Sequence, residues 1–114
     1  MGKAKLGAGN VEIELDGEIV TLRPSLRAAQ TLSRQADGLI GAIERVSRFD
    51  LDTLTSVTAL GLGREAKDVA EAVWSTGAST LAPKAIKFLG MLSNGGRPAD
   101  DSSGGEGDAD PRNV

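Results

Sequence analysis

Cysteine, histidine and tyrosine are all missing from this chain of 114 residues. Without cysteine there is no disulfide, no thiolate nucleophile and no cysteine-ligated zinc. Without histidine the usual neutral-pH base and the commonest metal ligand go as well. Any chemistry would rest on carboxylates, lysine, serine or threonine, and their spacing suggests no pairing of nucleophile and base. The expectation is a protein that is not an enzyme, with no catalytic and no metal-binding residue.

Aromatic residues are scarce as well: Phe49, Trp74 and Phe88 are the only three. The core must therefore be assembled from Leu, Ile, Val and Ala, in a chain that is 39% apolar. No apolar run approaches the length of a bilayer span, and the opening MGKAKLGAGN lacks a secretory apolar region. Position 6 is Leu, not Ser or Thr, so Gly2 does not open a myristoylation motif. The expectation is a soluble protein with no membrane partner, and the absence of cysteine fits a reducing compartment.

Excess charge is confined to one end. From Arg97 onward there are five acidic residues and two basic ones, which leaves 11 of each sign in residues 1–96. A neutral body with an acidic end offers nothing like the cationic surface that phosphate neutralisation demands, so nucleic acid is not expected as a partner.

The clearest pattern is VEIELDGEIVTLRP, residues 11–24. Val11, Ile13 and Leu15 alternate with Glu12 and Glu14, and Asp16-Gly17 is the preferred connection of a two-residue type I′ hairpin. Counting outward from the turn puts Val11, Ile13, Val20 and Leu22 on one face and Glu12, Glu14, Ile19 and Thr21 on the other. A hairpin of this size is marginal alone, so helices must back it.

Five short helices are expected to follow. Ser25 is positioned to cap the first, about 26–36, with Leu26, Ala29, Leu32 and Ala36 inward and Asp37-Gly38 as its stop. The second, about 39–48, carries Leu39, Ile43 and Val46. Asp50 is expected to cap the third, which carries Leu51, Leu54, Val57 and Leu60 and ends at GLG, residues 61–63. The fourth, roughly 65–76, turns Ala66, Val69, Ala70 and Val73 inward and stops at Gly77. The last starts near Ser79 or Thr80, with Pro83 in its first turn and Leu81, Ala85, Phe88, Leu89 and Leu92 as its stripe. The fold class is thus α+β: a hairpin on a small helical bundle over residues 10–94. Residues 1–9 read as a flexible lead-in, and residues 95–114 as a disordered acidic tail.

GLGREA, residues 61–66, fits the loose dinucleotide pattern G-x-G-x-x-A, but helical periodicity precedes it where a strand is required, so no cofactor is expected. The carboxylates Asp100, Asp101, Glu106, Asp108 and Asp110 lack the spacing of a calcium loop. Four residues are candidates for holding a partner. Trp74 neighbours the inward face of its helix, where core packing is the default and an interface anchor the alternative. Ile86 and Met91 lie off the main stripe of the last helix, and Thr21 lies at the hairpin's outward edge.

The segments VEIELDG (11–17), VTLRPSLRAAQTLSRQADG (20–38), LIGAIERV (39–46), DLDTL (50–54), VAEAV (69–73) and LAPKAIKFL (81–89) together resemble the small tail-assembly proteins of gene transfer agents and long-tailed bacteriophages, some of them labelled tail-tube proteins. The chain departs from that family at QTLSRQ, 30–35, where an acidic residue is usual. The resemblance implies a tail-assembly chaperone in the host bacterial cytoplasm that binds the tape-measure protein and helps recruit tail-tube subunits. Its alternative is a structural component retained in the tail. The hairpin's outer edges would serve self-association into a homo-oligomer or contact with a tail component.

Overall fold

A computed structural model describes residues 9–98 of the chain. The hairpin forms with the register counted from the sequence: β1 (Val11–Leu15) pairs antiparallel with β2 (Glu18–Leu22), Glu14 opposite Ile19, Ile13 opposite Val20 and Val11 opposite Leu22. Asp16 and Gly17 both take positive φ, 55° and 87°, as a type I′ turn requires. Val11, Ile13, Leu15 and Leu22 are buried, Val20 is half-buried, and Glu12, Glu14 and Ile19 are exposed.

The turn is tied to the helices by a hydrogen bond from the Asp16 N–H to Thr76 Oγ1 at 2.7 Å. At the other end of the hairpin the Arg23 N–H donates to the Gly61 carbonyl at 2.8 Å. A Cβ at position 61 would lie 2.8 Å from Leu22 Cδ2 and 3.0 Å from Leu22 Cβ, so only glycine lets the strand approach this closely.

Five helices follow: α1 (Leu26–Ala36), α2 (Leu39–Ser47), α3 (Leu51–Leu62), α4 (Ala66–Thr76) and α5 (Ala78–Ser93). The fold is α+β, as the sequence indicates. Ser25 caps α1, its Oγ accepting from the Ala28 N–H at 3.0 Å, and Asp37 (φ 60°) with Gly38 (φ 106°) ends it. The inward stripe differs from expectation. Ala28, Leu32 and Ala36 are buried, Ala29 is half-buried, and Leu26 is 73% exposed. At about 100° per residue, Leu26 lies some 200° round the helix from Ala28 and cannot share its face.

In α2 the stripe holds, with Leu39 and Ile43 half-buried beside fully buried Ala42 and Val46. Asp50 stands at the α3 N-cap position, yet its carboxylate makes no capping bond to the backbone; Oδ2 instead accepts from Thr53 Oγ1 at 2.8 Å. Leu51, expected inward, is 39% exposed, whereas Leu54, Val57, Thr58, Ala59 and Gly61 are buried. The buried Thr58 hydroxyl is satisfied by donating to the Leu54 carbonyl at 2.8 Å. The helix continues through Gly61 and Leu62 and closes on Gly63 at φ 72°.

Val69 and Val73 carry the packing of α4, while Ala66 and Ala70 are exposed, contrary to expectation. Gly77 stops α4, and α5 begins at once with Ala78. Pro83 is therefore its sixth residue, in the second turn and not the first. The partner its missing N–H would have bonded, the Ser79 carbonyl, belongs to an exposed residue at the helix start.

Helix α5 contacts the other four helices and β1, and it buries Leu81, Ala82, Ala85, Phe88, Leu89, Met91 and Leu92. It is the axis of the core. Strand β1 lies against α4 and α5, and β2 against α3, which answers what backs the hairpin.

Two boundary expectations shift. Gly9 is buried and its N–H donates to the Gly96 carbonyl at 2.9 Å; the Gly96 N–H donates to the Met91 carbonyl at 2.8 Å. Asn94 Nδ2 donates to the Pro98 carbonyl at 3.1 Å. Gly9 and residues 95–98 thus belong to the folded unit, while the expectations for residues 1–8 and 99–114 lie outside the described residues. Among the described residues no helix is long and apolar enough to cross a membrane.

Candidate partner-binding surface

GLGREA has a structural explanation within this fold. Gly61 admits Leu22, Gly63 closes α3 in the left-handed region, and the preceding segment is helix. Among the described residues no group of three or more carboxylates is gathered to hold a metal ion. What the surface does offer is apolar area.

Trp74 stands on the outward side of α4 and is 67% exposed. The default of core packing is thus overturned: Val69 and Val73 occupy the inner face of that helix, and the indole one residue beyond Val73 is turned away. An indole left in water is unfavourable for the isolated chain, and Trp is enriched where partners dock.

The other three sequence candidates fall into different settings. Thr21 is half-buried on β2, and Ile86 is half-buried and packs against the core. Met91 is only 2% exposed and belongs to the core, so its place on a surface strip is corrected. The reason is steric and local. A Cβ at Gly9 would overlap Met91 Cε, which means the methionine methyl fills the space left by that glycine, under the strand that leads into β1.

Five further apolar side chains are exposed that the sequence did not mark as partner-binding candidates: Ile19 (63%), Leu26 (73%), Ile40 (66%), Phe49 (51%) and Leu51. Ile19 was legible from the hairpin register, which places it on the outer face. Leu26 lines a small hollow with Pro24, Ala29, Leu92, Gly95 and Gly96. Phe49 and Leu51 flank Asp50 at the corner between α2 and α3. Phe49 lies in no periodic segment, so nothing in the pattern marks it.

Phe49 is also strained. Its N–H donates to the Val46 carbonyl at 2.8 Å and the Asp50 N–H to the Arg45 carbonyl at 3.0 Å, the two bonds of a Schellman closure. The residue at that position takes φ 63°, where glycine is usual and an aromatic side chain is an outlier. Replacing Phe49 by glycine is expected to stabilise the protein by about 1 kcal/mol, read as a higher urea midpoint at unchanged slope. A loss of stability would mean that the half-exposed ring makes contacts worth more than the strain.

The candidate and further exposed apolar residues are thus spread over β2, the five helices and the α2–α3 corner, with Trp74 the most exposed aromatic among the described residues. No protein-family model matches the chain, no curated protein sequence matches it significantly, and no solved structure matches its fold significantly.

Proposed function

We propose that this protein is a non-enzymatic assembly chaperone for a phage-type tail, working in the host bacterial cytoplasm. It holds the tape-measure protein during tail construction, covering apolar helical surface, and helps recruit tail-tube subunits. The observation that carries this reading is the exposed indole of Trp74 on a helix whose buried face is already complete. The resemblance of residues 9–93 to tail-assembly proteins supplies the identity of the partner, and the lack of cysteine and histidine makes a role through shape the economical one.

Transient holding calls for separate apolar anchors and modest interfaces, not one large obligate surface. The dispersed exposure of Trp74, Leu26, Ile40 and Phe49 accords with that requirement. Mass spectrometry of purified particles tests the proposal. A chaperone is expected to be abundant in the producing cells and missing from finished tails. Stoichiometric presence in the particle would replace this reading with that of a permanent tail component.

A further inference from the structure

Residues 11–22 contain Glu12, Glu14, Asp16 and Glu18 and no basic residue, and all four carboxylates are on exposed residues. Among the described residues the sheet has two strands, and each leaves one edge with no strand beside it. In an antiparallel ladder the pair flanking a two-residue turn exchanges both backbone bonds, and bonded and non-bonded pairs then alternate. Leu15–Glu18, Ile13–Val20 and Val11–Leu22 are therefore the bonded pairs, and the backbone groups of Glu12 and Glu14 on β1, like those of Ile19 and Thr21 on β2, point away from the hairpin. Arg23 is next in the outward series on β2, and its N–H does reach across to the Gly61 carbonyl of α3.

The two edges are not equivalent. That of β2 is closed at its C-terminal end by α3. That of β1 borders an open groove lined by Glu12, Glu14 and Ile19 of the hairpin and by Thr80, Leu81 and Lys84 of α5. We infer that the β1 edge and its α5 wall form a docking site for an extended polypeptide segment carrying Lys or Arg at alternate positions.

An added antiparallel strand would exchange backbone hydrogen bonds with Glu12 and Glu14. Its residues directly opposite those two share their face, so basic side chains there meet carboxylates, and the intervening side chains turn toward the α5 wall. Among the described residues Lys84 is the one basic group lining the groove, which leaves that lining net negative against two carboxylates. The same geometry disfavours a second copy of β1 as the occupant, because its own glutamates would be set against Glu12 and Glu14, and like charges directly opposite are destabilising. This inference does not depend on the tail-assembly reading; it fixes the chemistry of the occupant, whichever protein supplies it.

The test uses the full chain, isotope-labelled and titrated at low salt with an acetylated heptapeptide of alternating valine and lysine, and separately with its valine–glutamate counterpart. Amide shifts and slowed exchange are expected at Glu12 and Glu14, with the lysine peptide bound about tenfold tighter than the glutamate peptide. A Glu12→Lys, Glu14→Lys double variant, altered only at exposed positions, is expected to keep its fold by circular dichroism and to reverse that preference. Binding that maps to Ile19 and Thr21, or equal binding of both peptides, would overturn the inference. So would amides of Glu12 and Glu14 already protected in the free chain, which would mean that this chain fills its own edge.

Discussion

Met91→Ala is expected to cost about 3 kcal/mol of folding stability, within the range for a buried methionine truncated to alanine. The side chain is 2% exposed, lies on the core helix α5, and its terminal methyl fills the space beside Gly9. Truncation therefore removes buried apolar atoms and leaves a gap at the point where the two ends of the folded unit meet. Through the Gly9–Gly96 and Gly96–Met91 hydrogen bonds, loosening here should also release the closure between the strand entering β1 and the turn after α5. The urea midpoint reports the stability loss, and amide exchange at Gly9 and Gly96 reports the loosening. A variant as stable as the parent would return Met91 to the surface strip that the sequence suggested.

Trp74→Ala is expected to act in the opposite sense. With two-thirds of the side chain in solvent, its removal should change stability by less than about 0.5 kcal/mol. On the proposed function, binding of the tape-measure protein should weaken by about 2 kcal/mol, roughly thirtyfold, as for a central aromatic anchor. Isothermal titration of the purified pair measures it, with thermal unfolding of the variant as the control. Unchanged affinity with unchanged stability would leave Trp74 without a role in that interface.

The contrast between these two residues indicates what the sequence could and could not convey. The hairpin was readable to its register because alternation and the Asp16-Gly17 turn are independent local signals that agree. Helix limits were readable where glycine ends a helix, at Gly38, Gly63 and Gly77. Faces were less so. Periodicity identifies a stripe, but α5 is surrounded by four helices and β1, so its buried face widens to take in Met91 and Ala82 as well as the expected residues.

Long-range closure left no local trace. Gly9 looked like part of a lead-in and Gly95-Gly96 like a terminus, because their bond to one another spans the whole fold. Phe49 was invisible for a different reason. Its left-handed backbone comes from closing α2 without a glycine, and composition alone does not mark that event. For the candidate surface, Trp74 is exposed and Thr21 and Ile86 are half-buried, whereas Leu26 and Ile40 became apparent only from their exposure.

On the proposed function, this protein acts by covering another protein's apolar surface, not by chemistry of its own. Co-expression with the tape-measure protein in a bacterial host addresses it most directly, by the fraction of that protein recovered in the soluble extract. The tape-measure protein is expected to be insoluble alone, soluble with the parent chain, and insoluble again with Trp74→Ala. A tape-measure protein whose solubility is the same with and without this chain would contradict it.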